Sequence, residues 1–359
     1  MAENKNAIRE AVLARIRQSS DFPAMSSTVS LLNKFSPKDD ISITEFANVI
    51  LKDLALTTKI LKLVNSVHFM QFGEVTTISR AIILLGFENV KNIAMTLILF
   101  DHLQKHKSNE PLMDGIVKSF YSAILSRKIT QEVAFLEQEE SFICSLFHIF
   151  GKILTSLTMP DKVAAINQFM NQHQATESLA SLTVLGISYE EIGSTIAKEW
   201  NFPKKIISSM KRIMPSEITD NPSEVDKLRS ISTFTHSIAN IISNSESLKE
   251  REALTEKLLK GFSAHFSSLE GKINAIIKYL SQEFVEFSNI FHIDLRSSRF
   301  SNNLLGHAVK PAKTQAQEIT HSLPSALESF DDIIEMESLE TPESIFSKGI
   351  QDINKSLLS

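Results

Sequence analysis

Cysteine is almost missing from this chain. Cys144 is the only one in 359 residues, so no intrachain disulfide can form, as expected of a protein kept in a reducing compartment. Glycine is scarce as well, at 10 residues where average usage of about 7% would give roughly 25. Few glycines and 10 prolines leave little material for tight turns, which points to helices joined by short connections. Tyr (3) and Trp (1) are rare while Phe reaches 23, a balance suited to filling a core and not to stacking nucleic-acid bases. Excess positive charge is lacking too. With 37 Lys+Arg against 42 Asp+Glu the net charge is −5, which offers no bulk attraction to phosphate backbones or anionic bilayers. The longest apolar runs, 81–87 and 93–100, fall far short of the ~20 residues of a membrane span. The N-terminus, Met-Ala-Glu-Asn-Lys, has no signal-peptide core. A cytoplasmic protein without membrane or nucleic-acid partners is expected.

What is present is a chain that can bury a real core, 43% hydrophobic and 22% charged, and long enough for two or three units. Ile8, Val12 and Ile16 repeat at i, i+4, i+8 and predict an N-terminal helix within 1–20, ended by Asp21-Phe22-Pro23. Val29, Leu32 and Phe35 mark a second helix. Ser42 to Glu45 reads as a capping box opening a third, and Asp53 as the cap of a fourth whose buried stripe holds Leu56, Ile60, Leu63 and Val64. Gly86 separates two more. Phe142 to Leu157 is apolar nearly all round, the pattern of one helix buried on most sides, and Cys144 within it reads as a small hydrophobe and not a nucleophile. No stretch keeps a period of two long enough to predict a strand, so the fold class is all-α. Met214 to Pro222 reads as a linker, with helical spacing resuming over 223–295 as a C-terminal extension.

The last stretch changes character. Residues 296–359 carry 6 Lys+Arg and 9 Asp+Glu, and the eight acids from Glu318 to Glu343 have no basic residue among them. This composition predicts an acidic, disordered tail. Thr341-Pro342-Glu343 could start a terminal helix, with Ile345, Phe346, Ile350, Ile353 and Leu357 on one face for docking on a partner or on the chain's own body.

Several short motifs occur in a suggestive order. Phe22-Pro23 is followed by Asp53-Leu54-Ala55-Leu56-Thr57, then Asn65-Ser66, Ile78-Ser79-Arg80-Ala81-Ile82 and Leu85-Gly86. Later come Leu146-Phe147-His148-Ile149-Phe150-Gly151-Lys152, Leu185-Gly186-Ile187-Ser188-Tyr189 and Glu199-Trp200-Asn201-Phe202-Pro203. The ordered set resembles the HDOD domain, a non-enzymatic relative of the HD-type metal phosphohydrolases. The resemblance implies a helical domain over 21–214, with an N-terminal helical half (21–110) and a degenerate HD-like half (111–214).

An HD phosphohydrolase needs imidazole and carboxylate ligands on a divalent cation that activates water. Set against that pattern, Lys118 replaces the first ligand histidine, Ile149 replaces the aspartate after His148, and Tyr189 replaces a further histidine. The late histidine pair of some HD proteins falls at Ile213-Met214. Lys118, His148, Ile149 and Tyr189 therefore outline a relict pocket. Glu190 and Glu191 beside it read as first-turn acids of a helix. Outside the resemblance, His102 and His106 stand four apart, a spacing able to clamp a metal, with Asp101 adjacent. Without a third ligand nearby they read as a helix end whose dipole suits imidazole.

Taken together, the sequence predicts a protein that is not an enzyme and uses no cofactor or metal. What the resemblance implies is a bacterial signal-transduction regulator, linked to two-component or cyclic-dinucleotide networks, that works by binding signalling proteins; a homo-oligomer is compatible with it. Two alternatives stay open: a small-molecule or nucleotide sensor using the vacated pocket, with Lys118 pairing a phosphate, and a residual metal-dependent phosphohydrolase.

Overall fold

The computed structural model describes residues 2–306 apart from 36–39, 66–73, 107, 134–137, 174, 220, 291 and 296–297. The terminal docking helix expected from Ile345, Phe346, Ile350, Ile353 and Leu357 lies outside the described residues. Among the described residues every regular element is helical, which bears out the all-α reading.

Among the described residues up to 103 there are six helices: α1 (Ala2–Arg17), α2 (Phe22–Asn33), α3 (Asp40–Leu51), α4 (Leu54–Val64), α5 (Ile78–Leu85) and α6 (Phe87–Leu103). Their starts are chemically legible. Asp53 is extended (φ −104°, ψ 98°) and its carboxylate accepts the Leu56 N–H at 2.9 Å, and Thr77 does the same for Arg80. Gly86 sits at φ +86°, where a side chain would be strained, and lets α5 turn directly into α6. Helix α3 begins at Asp40, two residues before the start expected at Ser42.

The second half is built on α7 (Glu110–Val133), a long helix buried on most sides, followed by α8 (Gln138–Phe147), α9 (Phe150–Thr158), α10 (Pro160–His173), α11 (Glu177–Leu185), α12 (Tyr189–Glu199) and α13 (Lys204–Ser209). The apolar stretch read as one helix is two, broken at His148 and Ile149. Both sides of the break are apolar, so periodicity alone could not reveal it. Helices α9 and α12 cross with their backbones almost touching. A Cβ on Gly151 would lie 1.9 Å from the Tyr189 carbonyl oxygen and 2.6 Å from Gly193 N.

Beyond 209 come α14 (Glu224–Asn244), α15 (Leu248–Gly261), α16 (Ser263–Phe266), α17 (Ile273–Ile290) and α18 (Arg299–Gly306). These helices share the main core. Helix α14 packs against α7 and α8, and Phe287 of α17 lies 6.0 Å from Phe120 and 6.4 Å from Phe142. The stretch read as a linker is tied down: Pro215 packs on Gly261, and His265 is hydrogen-bonded to the Thr219 carbonyl at 3.2 Å. Helix α18 falls inside the stretch assigned to the disordered tail from 296, and that boundary is corrected here. Its polar sequence hides two anchors, Phe300 and Leu304, both fully buried against α7 and α14. Among the described residues one segment, Gln138–Thr158, is long and apolar enough by composition to cross a bilayer, and 83% of its apolar 18-residue window is buried inside the protein.

Candidate functional site

The residues expected to outline a relict pocket lie on α7, in the break between α8 and α9 and at the start of α12, with the start of α11 and the chain after α13 beside them. His148 stands in the break itself. Its Nδ1–H donates to the Ser209 carbonyl at 2.5 Å, and its ring stacks on His236 of α14 at 5.2 Å. His236 in turn donates Nε2–H to the Ser145 carbonyl at 2.7 Å. Burial pushes the His148 pKa down to about 3, helped by the field of Arg212. Burial, then the proximity of His148, lowers His236 as well. The two rings are neutral core groups with one nitrogen each committed to backbone.

Lys118 projects from α7 and is 8% exposed. Its ammonium meets Asp114, one turn back, at 2.8 Å. Burial lowers the Lys118 pKa against the pull of Asp114, and Lys152 adds to the lowering. Burial works to raise Asp114, yet Lys118 and hydrogen bonds from Phe300 N–H and Ser298 hold it below the usual carboxylate range. Glu177, in the first turn of α11, accepts from Lys152 at 2.5 Å and from Arg212 at 2.7 Å. Burial alone would raise it, but Lys152 and Arg212 outweigh that and hold it at about 2. Arg212 also meets Glu190 at 3.3 Å. Tyr189 is buried, and burial together with Glu177 pushes its phenol upward, so it stays protonated. Ile149 is half-buried against the core.

Of the four predicted pocket residues, Lys118 and Tyr189 both sense Glu177, and His148 senses Arg212, so one charged cluster relates them. The donor set does not fit the divalent cation of an HD phosphohydrolase. An ammonium already paired with Asp114, an isoleucine, a protonated phenol and an imidazole locked to a carbonyl offer no converging lone pairs. Among the described residues no group of three or more histidine, cysteine or carboxylate side chains is arranged to hold a metal ion. Sequence reading missed Asp114, Glu177, Arg212 and His236. Only Asp114 left a signal, its i,i+4 spacing to Lys118.

The other histidine pair also finds a role. His102 and His106 both direct Nε2 to Asp21 Oδ1, at 2.8 and 3.1 Å, pinning the start of α2 to the end of α6. Asp101, the expected neighbour, turns instead to Lys59. Glu190 and Glu191 are first-turn acids of α12, and Glu191 closes a capping box with Ser188.

Comparison with known proteins bears on the family and the fold. A protein of Treponema pallidum (strain Nichols), itself uncharacterized, is 23% identical over 192 residues. The match covers 53% of this chain but only 37% of that relative's length. Two solved structures share the fold at 17% identity. An HDOD domain protein of unknown function from Geobacter sulfurreducens aligns over 79% of this chain and 97% of its own with a TM-score of 0.50. A chain from Shewanella amazonensis SB2B, provisionally described as a phosphohydrolase, aligns over 82% and 98% with a TM-score of 0.51. The HDOD domain profile itself matches residues 22–214, more than half of the chain, and the protein is thus a member of the HDOD family.

Proposed function

We propose that this protein is a non-enzymatic regulator that acts by protein–protein interaction in a bacterial signalling network. The observation that carries the reading is the state of the relict pocket. Of the positions that would have to converge on a metal, Lys118 is spent on Asp114 and His148 on the Ser209 carbonyl, and Lys152 and Arg212 nearby are both paired with Glu177. A helical core is kept while the groups needed to activate water are turned to structural use. Binding is then the function left to the fold, and signalling is the setting the family resemblance implies. The sensor alternative rests on Lys118 as a phosphate ligand, and the Asp114 pairing removes its motivation.

The test uses the purified full chain with added Mg²⁺, Mn²⁺ or Zn²⁺ against a panel of nucleotides and cyclic dinucleotides. The expected result is no metal-dependent hydrolysis, together with reproducible capture of a defined signalling partner that then binds as a purified protein. Hydrolysis abolished by His148→Ala would overturn the reading in favour of the phosphohydrolase.

A further inference from the structure

Helix α1 is an addition to the matched domain. The HDOD profile begins at Phe22, the first residue of α2, whereas α1 ends at Arg17. Yet α1 packs on α9 and α11 of the HD-like half as well as on its neighbour α2, and it sits there as a separate ligand helix would. Leu13 and Ile16, three apart on one face, are buried at 1% and 0% exposure, with Val12 partly buried beside them. Ile8 reaches the end of α11, where a Cβ on Gly186 would lie 2.6 Å from its Cγ2. Three arginines flank this apolar stripe, and each meets an acid of the body. Arg9 pairs with Glu191 at 4.0 Å, Arg15 with Asp161 at 3.2 Å, and Arg17 with both carboxylate oxygens of Glu199, at 3.2 Å from Nε. The acids belong to two helices, α10 and α12, so the seat is an apolar strip rimmed by negative charge on both sides.

What holds α1 is of an exchangeable kind. Every side chain in these three pairs is at least 34% exposed, and ion pairs in solvent fix register and partner choice more than they add strength. Among the described residues of α1, Leu13 and Ile16 alone are fully buried. The chain behind the helix is fixed, because Asp21 Oδ1 is held by both His102 and His106. Residues 18–20 are therefore the hinge about which α1 can leave while α2 stays in place. We propose that α1 is the built-in occupant of a docking site, and that its seat receives a basic amphipathic helix of a partner protein, with aliphatic side chains at i, i+3 and arginines that meet Asp161, Glu191 and Glu199. The partner's chemistry is read from α1, since a competitor has to satisfy the same strip and the same acids. The tether gives α1 an effective concentration of about millimolar, so the seat is closed to a weak ligand until the arginine pairs are loosened or a tighter helix arrives. This assigns a surface and a partner class to the interaction reading above and rests on it.

The test is fluorescence anisotropy with a labelled synthetic peptide of residues 1–18 as the incoming helix, titrated with full-length chains. The wild type should bind it at least about ten-fold more weakly than a chain carrying Arg15→Glu and Arg17→Glu, whose own α1 is repelled by Asp161 and Glu199. A chain carrying Asp161→Arg and Glu199→Arg should be open as well, but should reject the native peptide and take one carrying R15E and R17E. A helix with a purely structural role would not produce that exchange of preference. Binding to none of the chains, equal binding by the wild type and the loosened chain, or equal affinity of the reversed chain for both peptides overturns the proposal. Should the doubly substituted α1 prevent folding, Arg17→Gln alone carries the comparison with the wild type. A loosened chain that dimerises with rising concentration and excludes the peptide also overturns it, by assigning the seat to α1 of a second copy. Failure of every peptide while a purified signalling partner still binds the full chain would leave the interaction reading standing and remove only this surface from it.

Discussion

His148 shows how far one residue can move from the chemistry its motif suggests. In an HD site it would offer a lone pair to a metal; here its ring is an internal strut, donating to Ser209 and stacked on His236. That state has a pH signature. An imidazole whose folded pKa lies below its unfolded value of about 6.5 contributes stability that is complete above 6.5 and lost as pH falls towards the folded value. For His148 that window runs from about 6.5 down to about 3. Between pH 8 and pH 5 holding the His148 ring neutral should cost the fold on the order of 2 kcal/mol. Urea unfolding across that range should show this loss with the His236 contribution added to it, and His236→Gln should make the pH slope shallower. A variant with the same pH slope as the wild type would show that His236 titrates normally in the folded chain. The histidine itself was readable from its motif. Its partners were not, because Ser209 and His236 are brought to it only by tertiary packing across α13 and α14.

Among elements, a close backbone approach falls on another motif residue. Gly151 follows His148 by three positions, and the space where its Cβ would stand is filled by the backbone of α12. Backbone cannot yield as the end of a side chain can, so Gly151→Ala should destabilise by at least about 3 kcal/mol, at the upper end of overpacking costs. Gly115, inside α7, is the control: a Cβ there meets only Ile153 Cγ1 at 3.4 Å. Gly115→Ala should be neutral or stabilising by up to about 1 kcal/mol, since alanine is the better helix former. Chemical denaturation of the two variants checks both signs at once. Helical periodicity made most elements legible in advance, along with the Asp53 cap and the first-turn acids Glu190 and Glu191. It failed at α18, where eight mostly polar residues are ordered by contacts distant in sequence. Asp114 holds that helix, accepting from Ser298 Oγ at 2.8 Å and Phe300 N–H at 3.0 Å while it pairs with Lys118. Asp114→Ala strands a buried lysine and uncaps α18 together, for about 3–5 kcal/mol. Hydrogen exchange should then accelerate first at the amides of Leu304 and its neighbours, before the rest of the core. Uniform acceleration throughout would mean that α18 is not a separable unit.

At the scale of the whole molecule, charge divides the chain at the end of α18. Residues 307–359 hold 4 Lys and 9 Asp+Glu, which leaves 33 residues of each sign in 1–306. The body is electrically balanced, and all of the net charge lies beyond α18. A sequence-based cut at Leu295, where helical spacing fades, would remove α18 as well as the acidic stretch. Losing Phe300 and Leu304, each worth about 1.5–3 kcal/mol of burial, would expose the Tyr121 ring and strip Asp114 of its Ser298 and Phe300 donors, leaving it Lys118. A chain ending at Leu295 should therefore unfold about 10 °C or more below the full chain, while one ending at Gly306 should stay within about 2 °C of it. That difference decides how partner binding is to be read. With the shorter chain, a lost partner and a damaged fold cannot be told apart. With the chain ending at Gly306, a purified partner that no longer binds must contact residues after 306, and Phe346→Asp with Ile350→Asp in the full chain should reproduce the loss. If the partner binds the Gly306 chain as tightly as the full one, the contact lies on the helical body.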